Sequence, residues 1–191
     1  MLFRSVGRAG GTHAITVDSA TIRNPFVFRG LSATLIDNPG GAALIGLGRG
    51  SATFSTATIT LNDDIRTQGG VINLDGNVIL APTSGNSITV LSTDGGDPGA
   101  DILFGGTTNS DATARDLISD AGIGLLTFAG AVGSTPLASL TATGSSINLP
   151  AVTTTGSQTY TGASSLSGNL SSTAAGAIAL TRGATTIRRA S

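Results

Sequence analysis

Apolar and small polar residues alternate along this chain in short runs: Thr58-Ile59-Thr60-Leu61, Val71-Ile72-Asn73-Leu74, Ser87-Ile88-Thr89-Val90, Ser146-Ile147-Asn148-Leu149 and Ala177-Ile178-Ala179-Leu180. A period of two puts every second side chain on one side of an extended backbone, so each run predicts a half-buried strand. Turn-forming residues bound the runs, at Asn62-Asp63-Asp64, Gly69-Gly70, Asp75-Gly76-Asn77, Asp94-Gly95-Gly96 and Ser119-Asp120-Ala121-Gly122. Short, numerous strands punctuated this way describe an all-β chain.

A weak internal repeat narrows the architecture. Leu91-Ser92-Thr93-Asp94-Gly95 leading to Ile102-Leu103-Phe104-Gly105-Gly106 is echoed by Ile118-Ser119-Asp120-Ala121-Gly122 leading to Leu126-Thr127-Phe128-Ala129-Gly130, which sets Phe104 and Phe128 24 positions apart. A period in that range is the signature of stacked repeats, each burying its apolar face against its neighbours. The expected fold is a right-handed parallel β-helix (β-solenoid). At roughly 20–25 residues per coil and about 4.8 Å per coil it makes some eight coils, a rod on the order of 40 Å long. The alternative is a β-sandwich, in which Asp75-Gly76 is a hairpin turn joining Val71–Leu74 to Asn77–Leu80.

Composition agrees with a thin, layered core. Only 4% of the residues are aromatic against 39% hydrophobic, whereas a compact globule of this length fills its centre with larger side chains. Every acid is Asp and every base Arg, so Glu and Lys, two strong helix formers, are missing and helices are not expected. The formal net charge of −1, with Arg scattered among Asp, offers no basic stripe for phosphates, and nucleic acid is not an expected partner. The chain has no cysteine, which excludes disulfides and thiolate metal sites. The apolar stretch around Ala42 to Leu47 is too short and Gly-broken to span a bilayer.

The ends read as those of a fragment. Met1 to Ser5 resembles the translation of a sequencing adapter and is set aside as an artefact, residues 6–50 form a β-rich lead-in or the first coils, 51–187 the solenoid, and 188–191 a ragged end containing Arg188-Arg189. No secretory signal order is visible at the start. A rod cut at both ends exposes strand edges and is expected to aggregate or be marginal.

Three segments carry a family resemblance. Ala57-Thr58-Ile59-Thr60-Leu61-Asn62-Asp63-Asp64-Ile65-Arg66-Thr67-Gln68-Gly69-Gly70 runs strand, turn, Gly-Gly; Leu126 to Leu140 and Thr153 to Gly162 follow the same manner. Together they resemble the filamentous-haemagglutinin-like β-strand-repeat proteins of bacterial surfaces. The resemblance implies a secreted or outer-membrane-associated location, export as an exoprotein or autotransporter passenger, and a role in adhesion or as a spacer. It implies no catalytic residue and no cofactor; the implied partners are glycans or proteins of a host or neighbouring cell, and neighbouring repeats of a parent chain.

Few residues offer chemistry. Asp94, Asp97 and Asp101 lie on a Gly-rich loop and are a calcium candidate, because Ca²⁺ takes carboxylate oxygens; the solvated-corner reading competes with it. Asp63-Asp64 is a weaker candidate of the same kind. A β-helix polysaccharide hydrolase or lyase would need two facing carboxylates, for which Asp97 with Asp101 or Asp116 with Asp120 are available. His13 is the single histidine, so neither a His pair for zinc nor a well-supplied triad can form. The Thr-x-Thr pairs at Thr56/Thr58/Thr60, Thr141/Thr143, Thr153/Thr155 and Thr159/Thr161 raise an ice-binding face. Tyr160 and the phenylalanines read as core stack members or a corner anchor.

Overall fold

The computed structural model describes residues 5–18, 20–36, 42–181 and 186–187. Of the terminal segments set aside on sequence grounds, 1–4 and 188–191 lie outside the described residues. The chain is a parallel β-solenoid of about 8 turns with almost no helix. Three strands make one coil and give the rod three sides.

The first coil is β1 (Ser5–Gly7), β2 (Ala14–Val17) and β3 (Ala20–Ile22). β4 (Phe26–Leu35) bends across the first two sides and β5 (Leu44–Gly46) supplies the third; β6 (Ala52–Leu61) and β7 (Ile65–Thr67) repeat that plan. Then come β8 (Ile72–Leu74), β9 (Asn77–Leu80) and β10 (Ser87–Leu91), followed by β11 (Ile102–Phe104), β12 (Thr108–Ser110) and β13 (Asp116–Asp120). β14 (Leu125–Phe128), β15 (Val132–Leu137) and the start of β16 (Ser139–Leu149) close the sixth coil. The rest of β16, with β17 (Val152–Thr154) and the start of β18 (Gln158–Leu166), makes the seventh. The remainder of β18, with β19 (Leu170–Ser172) and β20 (Ile178–Thr181), makes the eighth, and β21 (Thr186–Ile187) opens another turn.

All of the strand pairings are parallel; the antiparallel contact among the described residues is an isolated bridge between Gln68 and Thr93. The register advances 30 residues from Ile72 to Ile102 but only 17 from Ser146 to Ala163, so loops of differing length decorate coils of one plan. Phe104 stacks on Phe128, as the 24-residue echo anticipates. The lead-in is solenoid as well, since β1 to β5 pair with the coils that follow.

Each side contributes an inward column. On the first, Phe28, Phe54, Leu74, Phe104 and Phe128 succeed one another coil by coil, with ring centroids 4.5 Å apart for Phe28–Phe54 and 4.6 Å for Phe104–Phe128. That spacing is the rise of one coil, so stacked aromatics fit the backbone repeat without strain. The second column runs Ile15, Ala33, Ile59, Val78, Thr108, Val132, Val152 and Leu170. The third runs Ala20, Leu44, Ile65, Val90, Ser119, Ala142, Tyr160 and Leu180. Volumes compensate within a layer: the coil that holds Phe104 gives Thr108 and Ser119 to the other sides, and all three are buried. A core one layer thick has little room for large rings, which is why so few aromatics suffice.

Corners set the limit on coil approach. A Cβ on Gly76 would lie 2.0 Å from the carbonyl oxygen of Thr56 in the coil beneath, so only glycine lets the corners stack. Asp75-Gly76 is therefore a corner and not a hairpin turn: β8 and β9 do not pair with each other, and each pairs in parallel with the coils on either side. This removes the sandwich alternative.

The column changes character at Tyr160. Its hydroxyl donates to Gln158 Oε1 at 2.9 Å, while Gln158 Nε2 donates to Thr154 Oγ1 at 3.1 Å and to the Ser171 carbonyl at 2.7 Å. Both side chains are fully buried, and burial pushes the Tyr160 phenol well above its ordinary value. A satisfied network of this kind fixes register where an apolar column alone would tolerate a slip.

Two stability measurements check this account. Phe104→Ala should cost about 3–5 kcal/mol in denaturant unfolding, since the ring is fully buried between stacked coils. Tyr160→Phe should cost about 1–3 kcal/mol despite keeping the ring, because Gln158 Oε1 loses its donor; an unchanged midpoint would show that the network adds nothing.

Candidate functional edge

The chain turns from the third side to the first at one edge of the rod, and the corners there stack directly. Arg23-Asn24-Pro25 follows β3, and the next corner above it carries Arg49. The Leu47 amide donates to the Ile22 carbonyl at 2.8 Å and the Arg49 amide to the Gln68 carbonyl at 3.0 Å. The third corner, Gln68-Gly69-Gly70, is joined to the fourth by the Gly69 amide donating to the Ser92 carbonyl at 2.8 Å. The fourth is the longest corner and holds Asp94, Asp97 and Asp101. Ile123 in the fifth donates its amide to the Pro98 carbonyl at 2.9 Å.

The sequence offers the edge its shape. Gly48 and Arg49 both take positive φ, 56° and 68°, and the Gly50 amide returns to the Leu47 carbonyl at 3.0 Å, a tight two-residue turn. Arg49 and Ala175 are the non-glycine residues with left-handed backbone among those described. Gly69 leaves space that the Asp97 carboxylate fills, since a Cβ there would lie 2.3 Å from Asp97 Oδ1.

The three calcium candidates are brought to one corner, but their oxygens turn to different duties. Asp97 Oδ1 accepts from the Gly99 amide at 3.2 Å, and Asp101 Oδ1 from the Leu125 amide of the next coil at 2.8 Å. Asp94 begins a short 3₁₀ turn, Asp94–Gly96. Among the described residues no three His, Cys, Asp or Glu side chains gather closely enough to hold a metal ion.

Other aspartates act the same way, as staples between coils. Asp64 Oδ1 accepts from the Thr89 amide at 2.7 Å while Oδ2 pairs with Arg66 at 2.7 Å. Asp116 accepts from Ser139 Oγ on one neighbouring coil at 2.5 Å and from Asn86 Nδ2 at 3.1 Å. Asp120 takes the Gly122 amide at 2.8 Å and Thr93 Oγ1 at 3.2 Å. A charged acceptor facing an unsatisfied corner amide supplies a strong hydrogen bond where the ladder breaks. Sequence reasoning marked Asp64 and Asp120 as turn formers and Asp116 with Asp120 as a carboxylate pair, and missed the cross-coil role, which depends on the residue a full coil away.

The remaining candidates separate. His13 is exposed in the first coil, with its ring beside Gly7 and Gly11. Of the threonine pairs, Thr141/Thr143 stacks in register on Thr159/Thr161 on the third side. Thr58 and Thr60 lie on the second side and Thr56 is buried. Tyr160, Phe54 and Phe104 are core members, fully buried.

Above the acidic corner the edge becomes apolar and concave. Gly122, Ile123, Thr143, Gly144, Ser145, Thr161, Gly162 and Ala163 line an open groove of about 400 Å³, with Ile123 70% exposed on its rim. No family model, no curated protein and no solved structure matches the chain.

One ion pair has a clear acid signature. Arg115 Nε and Nη2 donate to the two Asp111 oxygens at 2.9 and 2.8 Å, and this fork holds the Asp111 carboxyl below its ordinary 3.8. A depressed carboxyl contributes stability that is present above its unfolded value and is lost as the pH falls through the folded one. Thermal melts of wild type and Asp111→Asn should therefore differ from neutral pH down to about 4, then converge below it.

Proposed function

We propose that this chain is a length of structural rod, a stalk or adhesin segment that holds other elements at a fixed distance and carries out no catalysis. The observation that supports this reading is continuity: three inward columns run from β4 to β18 without a break, and each of those layers is buried. Units that contact only their neighbours add stability layer by layer and resist local opening, which suits a spacer. The segments around Ala57–Gly70, Leu126–Leu140 and Thr153–Gly162 resemble filamentous-haemagglutinin-like repeats, and the rod belongs, in this reading, at a bacterial cell surface. Threonine- and serine-bearing outer faces suit weak contacts with glycans that strengthen only through repetition.

A spacer must keep its length. Because the chain lacks cysteine, Thr16→Cys and Ser171→Cys give unique label sites on the second side, outward in β2 and β19. Seven coil steps separate them, and pulsed electron resonance should find a narrow distribution near about 34 Å. A broad distribution, or one much shorter, would defeat the rod reading. Glycan-array and cell-binding assays on the same chain then divide its two forms: binding favours an adhesin, and silence a passive stalk.

A further inference from the structure

We infer that the charged edge is a surface for lateral pairing with a second, antiparallel copy of this chain. The pairing requires the solenoid geometry alone and does not depend on what the rod displays.

Charge is segregated along the axis. Residues 1–50 carry five arginines and two aspartates, residues 51–120 two arginines and nine aspartates, and residues 121–181 no charged side chain at all. Coil stacking turns that linear pattern into a spatial one. On the edge between the third and first sides, successive corners present Arg23, then Arg49, then Gln68-Gly69-Gly70 with the Asp97 carboxylate lying against Gly69, then Asp94 and Asp101.

A sequence of plus, plus, minus, minus is self-complementary when reversed. A two-fold axis between the Arg49 corner and the Gln68–Gly70 corner lays Arg49 of each copy against Asp97 of the other, and Arg23 toward the Asp94 corner. Closed two-fold contacts of this kind use one patch twice. Both arginines are available to a second copy, since Arg23 and Arg49 are exposed and make no ion pair or side-chain hydrogen bond among the described residues. Asp94 likewise has no side-chain partner among them, whereas Asp97 and Asp101 each engage one oxygen and keep the other. Arg49 also holds a left-handed backbone at the tip of its turn, a conformation that glycine adopts freely.

Other occupants fit less well. Nucleic acid would want exposed aromatics for its bases, and the described Phe and Tyr side chains are buried or half-buried. A metal ion at the acidic corner would leave the arginines without a role. Since exposed ion pairs are individually weak, the pairing is a weak, salt-sensitive one.

Sedimentation velocity on the full chain, from low salt to about 1 M where screening is complete within a few ångströms, tests this. Wild type should show a dimer at low salt that weakens at least tenfold as salt rises. Arg49→Asp and Asp97→Arg should each lose the dimer alone, since each sets like charges together twice. Mixed in equal amounts they should recover it, because both contacts regain opposite charges. Arg49→Gly, which relieves the backbone, should keep its melting temperature and still weaken the dimer, which separates lost contact from lost fold. A wild type that stays monomeric at low salt, a dimer indifferent to Arg49→Asp, or a mixture no better than its components would overturn the inference.

Discussion

Everything in this molecule depends on the parallel stacking of one coil on the next at a single spacing. That spacing is fixed by the backbone hydrogen bonds between strands, and every other feature is a consequence of meeting it. Rings stack because two aromatic faces rest comfortably at the same distance, as Phe28 does on Phe54. Corners use glycine because a side chain such as one at Gly76 would collide with the coil below. Aspartates recur at corners because the ladder breaks there, and a carboxylate can reach the amide one coil away, as Asp101 reaches Leu125.

The same constraint explains which parts of the structure could be read from the sequence. Alternation shows where the backbone is extended, so Thr58–Leu61 and Ser146–Leu149 were visible as strands. The echo between Phe104 and Phe128 revealed one coil length. Register elsewhere was hidden because loop length varies between coils, and a 30-residue step beside a 17-residue step leaves no period to find. The Asp75-Gly76 turn carried two meanings, since hairpin and corner ask for the same residues and differ only in which strand becomes the partner.

Side-chain roles were less legible than strands for the same reason. Asp64 and Asp120 look in sequence like ordinary turn residues, and Asp116 like one half of a carboxylate pair. What they do is set by Thr89, Ser139 and Thr93, each more than twenty positions away. Charge is more legible: the arginines concentrate before residue 51 and the aspartates between 51 and 120 in the sequence itself, and stacking converts position in sequence into height on the rod.

Height on the rod is what connects stability to function here. A globule can bury a charged pattern or fold it back on itself, but a solenoid displays each corner at its own level, and levels repeat at a spacing another rod shares. Two copies laid side by side therefore meet corner against corner with no adjustment of either backbone. Whether such a meeting is attractive depends only on the order of charges along an edge. Arg23 and Arg49 precede Asp97, Asp94 and Asp101 along the edge, so antiparallel rods attract and parallel rods in equal register repel. The stacking that makes the rod stiff thus also gives it a direction in which to pair.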